Sequence, residues 1–311
     1  MLLAFCISAP NSMANHQYVE KYISTSDGLT LWSESFGNQD EPAILLVMGA
    51  MNPGILWSDK FCTELSNAGF HVIRYDHRDT GKSQGVNSAE NPYDLELLAA
   101  DAISVLQGYG IEKAHVAGIS MGGYIAQLMA IHHPDLVQSL VLISTSADQR
   151  PYIQATMGKP NGKFFLPPPD RKFLDYITES SRKPPQTAEE FEENLVQGWQ
   201  ATYGGPRPFP REEITRTLRI VAKQASAGIT PLNHALATAA SPDRLEAVKQ
   251  IKAPTLVIHG KYDPCLPLAH GEYLAEHIPN AKLSVLDMGH SFQWSWSEEV
   301  VAGIVGFIGN H

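Results

Sequence analysis

Cysteine is scarce in this chain: Cys6, Cys62 and Cys265 are the only three among 311 residues, and no two share a C-x-x-C spacing. That excludes a disulfide framework and a cysteine-held zinc site, and it suits a reducing compartment. Positive charge is also short, with 23 Lys and Arg against 33 Asp and Glu, a formal net charge of −10 and no long basic run. Such a chain has little attraction for nucleic acid or an anionic membrane, and it slightly disfavours anionic substrates. No apolar stretch is long enough to span a bilayer. Hydrophobic residues still make up 43% of the chain, enough for one large α/β domain and an insertion.

Residues 1–17 read as an N-terminal extension. Residues 1–8 are apolar and Ser12-Met13-Ala14 resembles a signal-peptidase site, but no Lys or Arg precedes the short apolar core. Met13 can equally serve as the start. The expectation is a cytoplasmic protein, with export as the alternative.

What is present is organised around residues 114–127. The apolar run 114–119 has the length of a buried strand, and Ile125, Leu128 and Met129 recur afterwards at helical spacing until Pro134. Between them lies Gly118-Ile119-Ser120-Met121-Gly122. Strand, G-x-S-x-G and helix together make a nucleophile elbow, a strained turn that lifts a serine clear of the sheet at a helix N-terminus. Gly118 and Gly122 are small because side chains there would collide with the neighbouring strand and helix.

Around this element the pattern is of strand and helix in alternation. Residues 18–25 and 29–36 form a hairpin about Ser26-Asp27-Gly28. The runs 43–48, 70–75, 140–143, 255–259 and 281–286 read as further strands. Helical spacing covers 57–68, 94–109, 268–277 and 298–308. This predicts a mostly parallel, doubly wound sheet with core segments at 18–146 and 231–311. Residues 147–230 lack strand runs and are broken by Pro160, Pro167-Pro168-Pro169, Pro184-Pro185, Pro206, Pro208 and Pro210. They read as a proline-hinged helical insertion with helices near 171–181, 187–202 and 212–227. The sequence Gly81-Lys82-Ser83 lacks the earlier glycine of a phosphate loop. Residues 76–83 are instead expected to be a packed turn, ion-paired among Asp76, Arg78 and Asp79.

A serine hydroxyl needs a base, and the base needs an orienting acid. On an elbow scaffold these follow in the order serine, acid, histidine, on loops at the C-terminal ends of later strands. Of twelve histidines, His290 in Asp287-Met288-Gly289-His290 stands after the last strand and is the candidate base. Asp263, in Gly260-Lys261-Tyr262-Asp263-Pro264, is the candidate acid; Asp148 is the runner-up, and Asp287 is too near the strand end. Two backbone N–H groups must hold the oxyanion. Met121 follows the serine, and Ala50, after Gly49 in the loop that ends strand 43–48, supplies the second. No metal or organic cofactor is required.

With these groups placed, the chain resembles the α/β-hydrolase superfamily over nearly all of residues 18–309. Many members carry His-Gly in the oxyanion loop, where this chain has Met48-Gly49. Their D-x-R-G-x-G-x-S turn is here Asp76-His77-Arg78-Asp79-Thr80-Gly81-Lys82-Ser83. Leu46-Val47-Met48-Gly49, the Arg74-Tyr75-Asp76-His77-Arg78-Asp79-Thr80-Gly81 run and the elbow are similar to those of the aclacinomycin methylesterase group of serine hydrolases. The resemblance implies the α/β-hydrolase fold, with an eight-stranded sheet and a helical cap. It implies a carboxylesterase or methylesterase acting through an acyl-enzyme on a small apolar or aromatic ester. Carbon–carbon bond hydrolases, lactonases and cofactor-free perhydrolases use the same triad and remain alternatives, as does a non-catalytic ligand receptor on the same fold. Phe164, Phe165, Leu166, Tyr176, Trp199, Tyr203 and Phe209 of the insertion, with Trp294 and Trp296, are split between pocket lining and the insertion's own core.

Overall fold

In the computed structural model, which describes residues 18–158 and 162–309, β1 (Val19–Ser24) and β2 (Thr30–Phe36) form the expected hairpin, with Gly28 at φ +84° in its turn. The N-terminal extension, Cys6 and the Pro160 hinge lie outside the described residues. The sheet continues with β3 (Ala43–Val47), β4 (His71–Tyr75), β5 (Ala114–Ile119), β6 (Val137–Ile143), β7 (Thr255–Gly260) and β8 (Lys282–Leu286). Its eight strands run in the order β1-β2-β4-β3-β5-β6-β7-β8. β2 is antiparallel to both β1 and β4, and the remaining pairs are parallel. Every residue of β3, β4, β5 and β7 is buried, which is why those strands read as unbroken runs rather than as alternating ones.

Helices cover both faces. One core packs α2 (Leu95–Gly108), α3 (Met121–His132) and α9 (Ala269–His277) against the sheet, through residues such as Leu98, Ile125 and Leu274. The other packs α1 (Asp59–Asn67) and α10 (Ser297–Ile308), through Phe61, Leu65 and Ile304. The starts of α1 and α2 are set by local chemistry: Ser58 accepts from the Phe61 N–H at 3.2 Å, and Asp94 from the Leu97 N–H at 3.1 Å.

Between β6 and β7 the chain makes α4 (Arg150–Thr156), α5 (Arg171–Arg182), α6 (Ala188–Thr202), α7 (Arg211–Gln224) and α8 (Asn233–Ala240). The expected helices correspond to α5, α6 and α7. α4 and α8 have no counterpart among the expected helices, because α4 is short with Pro151 in its first turn, and α8, NHALATAA, has no sharp apolar stripe.

The turn after β4 differs from its expected wiring. Arg78 does not pair with Asp76 or Asp79; it reaches Asp101 on α2 at 2.7 Å and Asp27 in the first hairpin at 3.1 Å. Asp76 instead accepts the N–H groups of Gly54 and Lys82, at 2.6 and 2.7 Å. Asp79 accepts from Val86 N–H at 2.8 Å, Tyr93 Oη at 2.8 Å and Asn233 Nδ2 at 3.0 Å. Asp76 is satisfied by main-chain donors and Asp79 by main-chain and side-chain donors, while the arginine ties the turn to other elements.

Candidate active site

Ser120 sits between β5 and α3 at φ +54° and ψ −120°, a region costly for a residue with a Cβ. The surroundings fix it there. Its N–H donates to the Ile143 carbonyl at 3.0 Å, and its own carbonyl accepts from Thr145 Oγ1 at 2.7 Å. A Cβ on Gly118 would strike the Gly122 carbonyl in α3, and one on Gly122 would strike the Val47 carbonyl of β3. A Cβ on Gly49 would lie 3.4 Å from the Ser120 Cβ, so the loop after β3 passes directly beside the serine.

Asp263 stands just beyond β7 with its side chain buried. Oδ1 accepts from the N–H groups of Cys265 and Leu266, both at 2.9 Å, and Oδ2 faces His290 Nδ1 at 2.8 Å. Burial alone would raise its pKa, but the adjacent His290 and the bond between them win, and the carboxyl lies below its ordinary range. A carboxylate at Nδ1 fixes the proton on that nitrogen and leaves Nε2 of His290 free to accept one. The His290 main-chain N–H donates to the Thr202 carbonyl at the end of α6, at 2.9 Å, so the histidine loop is docked on the helical insertion.

Ser120 and His290 line one cavity of about 410 Å³ together with Gly49, Ala50 and Met121. Among the described residues no direct hydrogen bond joins the Ser120 hydroxyl to the His290 ring. Among the described residues, the N–H groups of Ala50 and Met121 have no main-chain acceptor in the turns and loops.

The other carboxylates are placed differently. Asp148 is buried and bound by Arg150 at 2.7 Å, and Asp287 is largely exposed with Lys261 at 4.0 Å. Of the competing histidines, His115 is paired with Ser139 Oγ at 2.7 Å, and His259 with the Leu266 carbonyl at 2.8 Å. Asp263, Cys265 and His290 place ligand-type atoms within 4.8 Å of one another. However, both Asp263 oxygens already accept hydrogen bonds, and burial pushes the Cys265 thiol far up, so a cation would have to break the Asp263–His290 bond.

Of the nine side chains weighed for the pocket, Tyr176 and Trp199 line the cavity. Tyr203 packs on Phe209 and Trp296, and Phe165 is exposed. Sequence reasoning missed Tyr152, Phe173 and Met51 as wall residues, and Ala235 and Thr238 from α8.

The chain matches the alpha/beta hydrolase fold family over residues 42–295 and belongs to that family. Within it, the chain is 34% identical over 284 residues to rhodomycin D methylesterase DnrP of Streptomyces peucetius, covering 90% of this chain and 95% of that protein. That similarity bears out the resemblance to methylesterases carried by the Met48-Gly49 and Asp76-His77-Arg78 motifs. It is also 26% identical over 290 residues to the bifunctional esterase/perhydrolase DCH of Acinetobacter calcoaceticus, covering 92% of this chain and 99% of that one. Among solved structures, the esterase RhEst1 from Rhodococcus sp. ECU1013 shares the fold, with a TM-score of 0.73 at 20% identity over 93% of this chain and 98% of that one.

Proposed function

We propose that the protein is a serine esterase of the methylesterase type, with Ser120 as nucleophile, His290 as general base and Asp263 as its orienting acid. The observation that carries this is the 2.8 Å Asp263–His290 contact opening onto the same cavity as a strained elbow serine. His290 takes the Ser120 proton as the hydroxyl attacks the ester carbonyl, and the N–H groups of Met121 and Ala50 hold the developing oxyanion. Asp263 stabilises the imidazolium, which then protonates the leaving alcohol, and water attacks the acyl-enzyme by the same route in reverse. Every proton stays among Ser120, His290, substrate and water.

Residues 147–230 act as a cap in this reading: Tyr152 of α4, Phe173 and Tyr176 of α5, and Trp199 of α6 wall the cavity opposite Ser120. α8 joins them in roofing the site, so the cover extends past residue 230. Mixed aromatic and aliphatic walls suit a bulky apolar or aromatic acyl group with a small alcohol leaving, in keeping with the methylesterase relative. Among the described residues no helix is long and apolar enough to cross a membrane, and Cys62 and Cys265 are free and buried; a cytoplasmic location fits those thiols.

The test is a profile of hydrolysis across p-nitrophenyl acyl esters of rising chain length and methyl esters of mono- and polycyclic aromatic acids, with Ser120→Ala as control. Methyl esters of bulky aromatic acids should be cleaved in preference to acetates of bulky alcohols. The reverse preference, or hydrolysis that survives Ser120→Ala, would overturn the reading.

A further inference from the structure

The loop that carries Ala50 is held by three side chains, one of its own and two from distant parts of the chain. The Met48 carbonyl accepts from His77 Nε2 at 2.9 Å, the Ala50 carbonyl from Asn52 Nδ2 at 2.8 Å, and the Met51 N–H donates to His234 Nδ1 at 2.8 Å. The Ala50 carbonyl and the Met51 N–H belong to one peptide unit, so that plane is gripped at both ends. The Met48–Gly49 plane is gripped by His77. The plane between them carries the Ala50 N–H, and its direction is fixed by its two pinned neighbours. Met51 needs the grip, because it sits at φ +65°, where a side chain is strained.

We propose that His234, acting through Met51, and Asn52, acting on the Ala50 carbonyl, are together positioning residues for the oxyanion donor at Ala50. The inference rests on the esterase reading above, which gives Ala50 its role. The histidine suits the task because its two nitrogens are committed in opposite senses. Nε2 faces the Arg78 carbonyl at 2.8 Å and so carries the proton, which leaves Nδ1 as a lone-pair acceptor for Met51. A doubly protonated ring would set N–H against N–H and release the loop.

The surroundings keep the ring neutral and still. Burial lowers the pKa of His234; the Arg78 carbonyl and Asp79 pull it up, and the Arg78 charge opposes them. The perpendicular ring of His77, 5.5 Å away, is itself buried and pushed down to about 3. Asp79, at φ +67°, anchors the start of α8 through Asn233 Nδ2 at 3.0 Å and the Thr230 N–H at 3.2 Å. The chain that returns from the insertion is thereby tied to the oxyanion loop.

The test uses the full-length protein with p-nitrophenyl butyrate and two substitutions that separate the nitrogens. In His234→Asn the side-chain oxygen can take the place of Nδ1 and accept from Met51. In His234→Gln the amide reaches only the Nε2 position and leaves Met51 unpaired. The expected result for His234→Gln is a kcat lower by about 10- to 100-fold with KM within about twofold, the scale of a misplaced catalytic group. His234→Asn should stay within about threefold of wild type. Asn52→Ala, at a partly exposed site, should lower kcat in the same manner without unfolding the chain.

Equal losses in the Asn and Gln variants, an effect confined to KM, or an unchanged kcat in Asn52→Ala would overturn the proposal. If the His234 variants fail to fold, Asn52→Ala decides alone. A wild type that cleaves no ester, or keeps its activity in Ser120→Ala, refutes the esterase reading instead, so the two failures are distinguishable.

Discussion

Ser120, Asp263 and His290 come from the ends of three different strands, and their value lies in geometry rather than exposure. Replacing Asp263 by Asn keeps the shape but offers an amide to Nδ1, so the ring is driven towards the wrong tautomer. The expected outcome is a kcat about 10⁴-fold lower with little change in KM, measured by steady-state ester hydrolysis. Thr145→Val removes the side-chain bond to the Ser120 carbonyl, which keeps the N–H groups of Gly123 and Tyr124 as donors. Losing that one bond should destabilise the fold by about 0.5–1.5 kcal/mol, read by urea unfolding. These three residues were legible in sequence because each carries a local signature: an elbow, an Asp-Pro turn after a strand, and a histidine on a glycine-loosened loop. His234 and His77 carry no such signature. Their partners are main-chain atoms 183 and 29 residues away, and only folding brings those together.

At the level of elements, the elbow works because β3, β5 and α3 approach more closely than side chains allow. Gly122→Ala would push a methyl group into the Val47 carbonyl. A loss of about 1–3 kcal/mol is expected from such overpacking, with a matching fall in the thermal midpoint. An unchanged midpoint would mean that β3 and α3 can separate without cost. The strands were legible because they are buried on both faces and so read as apolar runs. The short helices at the edges of the insertion were not. α8 in particular was read as part of the returning core, although Ala235 and Thr238 face the cavity. Its helical pattern is weak because its buried face carries polar Asn233, His234 and Thr238 while apolar Leu236 is exposed.

For the molecule as a whole, buried histidines dominate the response to acid. Burial lowers the pKa of His71, His77, His115, His234, His259 and His270, with His77 at about 3 and His115 and His270 at about 4. Each ring is neutral when folded at pH values where the unfolded chain protonates it. The unfolded state therefore binds more protons below about pH 6.5, and stability falls as the pH drops towards 4. Asp76, raised by burial to about 7, and Asp101, also raised, act in the opposite sense but are fewer. Each uncompensated histidine contributes up to ~1.4 kcal/mol per pH unit in that window. Urea midpoints should be level above pH 7 and decline steadily from pH 6.5 to 4.5. A flat or rising profile there would show that the rings are charged in the folded chain.

The central claim is that an acyl group passes through Ser120, and it is tested most directly by trapping that intermediate. Acid-quenching the protein during turnover of p-nitrophenyl butyrate and mapping the modified peptide by mass spectrometry should place one butyryl group on Ser120 and none on the Ser120→Ala variant. Hydrolysis that proceeds at full rate with Ser120 unmodified, or with the acyl group on another residue, would contradict the account.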